Sequence, residues 1–314
     1  MSTGYVAFSH TELSGFKVGD HIVAAHMVRL FIENEPHDHW ILSLNPQSGM
    51  NRVFDQVVLE YGIEVQYDGW QPGDIDHLNK CLDERRRSRM VHGRVFDTYK
   101  EIYRRTDGGP KQRGLCGSER GLGHRNIFDY YYFGQESSGP RCMGGGTFGR
   151  SSLGLSWKPT APRRSVFVAP IAFSQTNEVF TMEFWKQVID LLLAADVEVT
   201  VNTPNNGQFG AHPKLRYFYS PGNIWGMFEE VARQRLVLCG NTGVGWVAGA
   251  HGVPLIAGQP KFFWFQDYRY DWCGVQSLVD IFGKESGADA AGHGFQPPDP
   301  QEPVRMVLEY LEGR

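Results

Sequence analysis

Residues 236–258 read LVLCGNTGVGWVAGAHGVPLIAG. The apolar run Leu236 to Cys239 predicts a buried strand. Gly240-Asn241-Thr242-Gly243 predicts a tight turn, Val244 to His251 a helix built largely of small residues, and Val253 to Ala257 a second strand. Strand, glycine turn, helix and strand in that order make a βαβ unit. Its first turn brings backbone N–H groups, the positive end of a helix dipole and the Thr242 hydroxyl to one point, which suits a phosphate. Spacing alone leaves that reading level with a plainer one, in which the glycines only let the helix pack closely on a sheet.

The neighbouring sequence extends the pattern. Ser165 to Ala169 (SVFVA) predicts a strand. A polar loop, Ser174-Gln175-Thr176-Asn177-Glu178, leads to a helix with Thr181 at its N-cap and Phe184, Trp185, Val188, Ile189 and Leu192 along one face. Val197 to Val201 and Leu215 to Tyr219 predict further strands, and Ile224, Phe228 and Val231 mark a helix between the second of these and Leu236. The result is a βα array whose phosphate-friendly turn lies at the carboxyl end of a strand, where open α/β sheets bind ligands. Asp299 to Leu311 predicts a closing helix with Pro303 in its first turn. Trp157 to Arg164, with Pro159 and Pro162, reads as an interdomain linker. The aromatic run from Phe262 to Trp272 reads either as core or as the wall of a cleft.

The first half repeats the theme. Tyr5 to Phe8, His39 to Leu44 and Ile63 to Gln66 predict strands, and helices fall between them, the first headed by Gly19-Asp20 and the second running from Met50 to Tyr61. That is a βαβαβ half of a Rossmann-type sheet. No GxGxxG follows its first strand, so no dinucleotide site is assigned there. Asp20 has two readings that can hold together: an N-cap, worth ~1 kcal/mol, or a general base. Ile75 to Arg105 is expected to be helical with an interruption near Val91 to Gly93, and its many arginines read as a solvated face or as a patch for a phosphorylated acceptor. Asp107 to Gly154 holds thirteen glycines in 48 residues, which marks a long loop region with one ordered island, Asn126 to Phe133.

Composition narrows the class. The 314 residues suffice for two domains, expected at 1–156 and 157–314 with the Gly/Arg-rich insertion at 107–154 inside the first. Hydrophobic content of 41% and charged content of 21% are those of a globular chain. A net charge of −4 gives no global signal for nucleic acid or membrane. Five scattered cysteines without a CxxC argue against a disulfide framework or zinc ribbon and fit a reducing cytoplasm. No signal peptide is visible, and no stretch approaches the ~20 apolar residues of a membrane span. Asp74-Ile75-Asp76 has the letters of a metal-binding DxD, but it follows Pro72-Gly73 at an expected helix start, where capping explains it better.

Gly19-Asp20 before the first helix, followed in the second array by Asn241-Thr242-Gly243 and then Ala248, Ala250, Gly252-Val253-Pro254, resembles the heptosyltransferases of glycosyltransferase family 9. The resemblance extends loosely over most of the chain and leaves out 107–154. It implies a GT-B fold, an α/β architecture of two Rossmann-like domains facing across a cleft. It implies further that Asp20 is the catalytic base and that Thr242 and Gly243 contact the donor diphosphate. Three positions depart from the family pattern. Asn241 stands where the family has Asp, Trp246 aligns with its His, and Glu178 appears where a Lys is expected. The donor-phosphate site is thus altered at its charged positions.

The function expected from these readings is a metal-independent, inverting transfer from a nucleotide-sugar donor to the hydroxyl of a glycan, lipid-linked or small-molecule acceptor, without cofactor. Asp20 accepts the hydroxyl proton; His10 and His21 are the alternative bases. Gly19, Ser174, Glu178, Asn241, Thr242, Gly243 and Trp246 complete the expected substrate contacts. Three rival readings stand beside it. One is a transferase acting on modified DNA bases, with nucleic acid as acceptor and the arginines between Arg85 and Arg150 on its phosphates. Another is a non-catalytic nucleotide-sugar or carbohydrate binder. The third is an epimerase, for which no second carboxylate pair is seen.

Overall fold

The computed structural model describes residues 3–8, 18–34, 37–44, 50–67, 91–96, 157–171, 179–220, 223–240, 242–259, 279–288 and 295–313. These fall into two compact units, the residues up to Phe96 in one and those from Trp157 onward in the other. The insertion at 107–154, the island at 126–133 and the aromatic run at 262–272 lie outside the described residues.

The first unit is built on a parallel sheet. Its strands are β1 (Thr3–Phe8), β2 (His39–Leu44), β3 (Glu64–Tyr67) and β4 (Val91–Phe96), in the spatial order β3-β2-β1-β4. Helix α1 (Val18–Asn34) joins β1 to β2, and a 3-10 turn (Asn51–Phe54) running into α2 (Asp55–Tyr61) joins β2 to β3. The βαβαβ reading therefore holds. One expectation fails. Val91–Phe96 is a strand and not a break in a helix. It pairs with β1 in parallel from Thr3↔Val91 to Phe8↔Phe96. The stretch VHGRVF combines β-branched and aromatic residues with a helix-weakening glycine, and it completes the far side of β1.

Two polar ties fasten α1 to α2. Buried Arg29 donates to Glu60 at 2.9 Å, and the Tyr61 hydroxyl donates to Glu33 at 2.6 Å.

The second unit carries a six-stranded sheet, all parallel. In chain order its strands are β5 (Ser165–Ala169), β6 (Glu198–Asn202), β7 (Leu215–Phe218), β8 (Val237–Cys239), β9 (Leu255–Gly258) and β10 (Val279–Phe282). Their spatial order is β10-β9-β8-β5-β6-β7, the 3-2-1-4-5-6 order of a doubly wound sheet. The helices are α3 (Met182–Ala194), α4 (Ile224–Arg233), α5 (Gly243–His251) and α6 (Gln301–Glu312). A short antiparallel pair, β11 (Gly287–Ala288) with β12 (Phe295–Gln296), precedes α6. Every residue of β5, β8 and β9 is buried, as expected for parallel strands covered on both faces.

The core follows from spacing. Phe184, Trp185, Val188, Ile189 and Leu192 recur at helical intervals on α3 and all are buried. They meet Phe180, Phe282, Val304 and Val307 in one cluster.

The proline-bearing segment expected as a linker is bonded to this second unit. Lys158 N–H donates to Ala232 O at 3.1 Å, Thr160 and Ala161 N–H both donate to Arg233 O, and Trp157 Nε1 donates to Gln234 O at 2.7 Å. These groups satisfy carbonyls that the end of α4 would otherwise leave open.

Candidate functional site

In the second sheet the chain leaves β5 toward α3 on one side and leaves β8 toward α5 on the other. Because β5 and β8 are neighbours, paired from Phe167↔Val237 to Ala169↔Cys239, their carboxyl ends form the topological switch point of the sheet. Doubly wound sheets bind ligands in the crevice at that position. The topology brings the N-termini of α3 and α5 to it, each with its positive dipole end.

Both helices are capped by threonine. The Thr181 hydroxyl accepts from Phe184 N–H at 3.2 Å, and the Thr242 hydroxyl accepts from Val244 N–H at 3.1 Å. Thr242 is buried, and its side chain also hydrogen-bonds the buried thiol of Cys239. Burial pushes that thiol up to about 12, and the Thr242 bond pulls the other way. Cys239 is thus a neutral core residue at the end of β8. The Thr242 hydroxyl is occupied within the protein, so the turn must meet a ligand through its backbone. Gly245 N–H is also taken, by Thr242 O at 3.1 Å. The N–H of Gly243 has no partner among the described residues.

Helix α5 is buried from Val244 to His251. Gly245, Ala248, Gly249 and Ala250 give it the narrow profile that lets it lie close to β8 and β9. Its far end closes in a Schellman motif. Gly252 takes φ +74°, its N–H donates to Gly249 O at 3.1 Å, and Val253 N–H donates to Ala248 O at 2.9 Å. The Gly252-Val253-Pro254 motif is therefore a helix stop. Trp246, in the fourth position of α5, is 2% exposed and fills interior space.

In the first unit the equivalent switch lies between β1 and β4, and α1 leaves β1 beside it. Asp20 is the third residue of α1. It belongs to the first turn of the helix and is not its N-cap, because the helix already begins at Val18. Gly19 is half-buried, and His21 is buried with Ile22 and Ala25. His10, Ser174, Glu178 and Asn241 lie outside the described residues. The sequence reading places Ser174 and Glu178 in the loop that leads to α3 and Thr181 at its N-cap; the cap is as expected, although Thr181 follows β5 by twelve residues and Thr242 follows β8 by three.

Among the described residues no group of three or more His, Cys, Asp and Glu is placed to hold a metal ion. Among them, too, no helix is long and apolar enough to cross a membrane.

No protein-family model matches the sequence, and no curated protein matches it. Solved structures do. The chain is similar to a family 9 glycosyltransferase from Veillonella parvula, with 13% identity, a TM-score of 0.54, and 99% of this chain and 96% of that chain covered. It is similar to the Escherichia coli ADP-heptose LPS heptosyltransferase II, with 12% identity, a TM-score of 0.54, and 99% and 98% covered. It is similar also to TibC, an iron-containing dodecameric heptosyltransferase solved with ADP-D-β-D-heptose, the protein of enterotoxigenic Escherichia coli, with 13% identity, a TM-score of 0.55, and 99% and 76% covered. At such identities the likeness establishes a shared fold. The α/β architecture read from the sequence is the fold of family 9 glycosyltransferases.

Proposed function

We propose that the chain is a cytoplasmic glycosyltransferase that moves a sugar from a nucleotide-sugar donor to an acceptor hydroxyl, with inversion and without a metal ion. The observation that carries this reading is the β8–turn–α5 unit at the switch point of the second sheet. In this reading the Gly243 N–H and a helix dipole are available to a departing diphosphate as it gathers negative charge. The α3 N-terminus supports the same role from the other side of the switch. In this mechanism an acceptor hydroxyl loses its proton to the Asp20 carboxylate as its oxygen bonds to the anomeric carbon. The bond from that carbon to the diphosphate breaks, and the nucleoside diphosphate leaves with the electron pair. Two of the structural neighbours are described with ADP-heptose, so an ADP-sugar is the first donor to try. Asn241, where the family pattern is broken, is the position proposed to set a different donor preference; Trp246, also a departure from the pattern, is packed in the interior and bears on the donor only through the packing of α5. The acceptor class is a glycan, a lipid-linked sugar or a small molecule.

Asp20→Asn tests the base. General base catalysis contributes roughly 10²–10⁴-fold, so the variant should lose at least a hundredfold in turnover while its donor affinity stays unchanged. Near-normal turnover would refute the role. The same assay in the presence of a chelator should keep its rate, and loss of activity there would refute metal independence. TibC, which contains iron, makes that control necessary.

A further inference from the structure

The opposite edge of the second sheet holds a groove that the proposed transfer does not use. It measures about 370 Å³ and lies where β5, β6 and β7 begin, walled by the strap at Thr160–Pro162 and by the last turn of α4. Its charged lining is Lys214, Arg216 and Arg233 against Glu198 and Glu230. Glu230 is committed. It accepts from Arg216 and, at 2.8 Å, from Gln234 Nε2, while Arg216 Nε reaches Thr200 Oγ1 at 3.3 Å. The strap and the approaches to β5 and β8 carry Lys158, Arg163, Arg164 and Arg235, of which Arg164 donates to Ala195 O and Arg235 to Ala161 O.

The end of a helix normally repels anions through its open carbonyls. Here Ala232, Arg233 and Gln234 carbonyls are all taken by donors of the strap, so they no longer oppose an incoming anion, and three cations face two carboxylates in the lining. Arg233 is the least engaged of them. Its ion pair, to Glu229 on its own helix, is 3.9 Å long and exposed on both sides, a class of contact worth ~0–1 kcal/mol. Lys214 is paired with Asp196, which is itself 78% exposed. Hydroxyls of Thr160 and Thr200 supply neutral donors in a space of small-ligand size.

We propose that this groove is a second binding site, separate from the donor turn, for a phosphate group, carried either by free phosphate or by the headgroup of an anionic lipid. Arg233 and Lys214 are its principal contacts. Glu198 opposes the ligand and weakens it.

The test uses the full chain. Inorganic phosphate is titrated calorimetrically into wild type, the double variant Arg233→Gln/Lys214→Gln, and Glu198→Gln, with ADP titrated in parallel to report on the carboxyl edge. Arg233 and Glu198 are exposed and Lys214 is half-buried with its ammonium on the exposed Asp196, so none of the three substitutions opens the core and the variants should fold. The double variant should bind phosphate at least tenfold more weakly, about 1.4 kcal/mol, with unchanged ADP affinity, and Glu198→Gln should bind it more tightly. Equal phosphate affinity in wild type and the double variant would overturn the proposal, whatever ADP does. Co-sedimentation with vesicles of phosphatidylglycerol and phosphatidylcholine in equal parts identifies the source. Sedimentation of wild type but not of the double variant assigns the lipid headgroup, and phosphate binding without sedimentation assigns free phosphate.

Discussion

At the scale of single residues, Thr242 has a different task from the one its sequence position suggests. Its hydroxyl is spent on Val244 N–H and on Cys239, so its contribution is to hold the first turn of α5 open at Gly243. Thr242→Val removes the cap acceptor and should lower unfolding stability by about 1 kcal/mol, with Thr242→Ser restoring it; a denaturant titration of the three proteins decides. Tyr61 supplies a pH-dependent residue in the other unit. Burial, then the hydrogen bond to Glu33, raises its hydroxyl from 10.0 to about 12. A raised folded-state value means that the associated stability is full below pH ~10 and is lost as the pH climbs through about 12. Tyr61→Phe should therefore flatten the alkaline loss of stability over that window, as read by thermal melts, and an unchanged alkaline limb would argue against the assignment. Thr242 bonds only to near neighbours in the chain, so its capping role lay within reach of the sequence. The Tyr61 role did not, because Glu33 lies 28 residues away and the adjoining Arg29–Glu60 pair spans 31, beyond any local pattern.

At the scale of elements, local patterns carried far. The VLC strand, the small-residue helix and its glycine stop appear within two residues of the boundaries read from the sequence, because glycine turn, threonine cap and Schellman end are local chemistry. Val91–Phe96 was not legible as a strand. Its pairing with Thr3–Phe8 is a contact across almost ninety residues, and the arginine-rich flanks carry a helix-like composition. The pair β9–β10 illustrates a requirement that only packing reveals. A Cβ at Gly258 would sit 2.8 Å from the Phe282 ring and 2.9 Å from Phe180. Those rings are held in turn by Phe184 and Trp185, with Phe180 and Phe282 centroids 5.1 Å apart. Gly258→Ala should thus overpack the cluster and cost about 1–3 kcal/mol in a calorimetric or denaturant measurement; a neutral effect would mean that the aromatic cluster yields easily.

At the scale of the whole molecule, the chain's net charge of −4 conceals an uneven distribution. Lys214, Arg216 and Arg233 lie at the amino edge of the second sheet, while the described part of the carboxyl edge offers backbone donors and helix dipoles. Composition could not separate the two, because net charge sums over faces that only the fold creates. The fold class itself was legible, since each unit repeats the alternation of buried strand and amphipathic helix that a parallel sheet requires. The sheet order was not, because the reversal at β5 and β8 leaves no mark on either strand. That reversal is what turns a generic glycine turn into a candidate donor site. The most direct test is a calorimetric titration of nucleoside diphosphates, ADP first, into the full chain and into Thr242→Val. The proposed function predicts that at least one nucleoside diphosphate binds the wild-type chain and binds Thr242→Val more weakly, because the Gly243 N–H is no longer held in place. If none binds, or if the variant binds as tightly as wild type, the assignment of the β8–α5 turn as the donor site is contradicted.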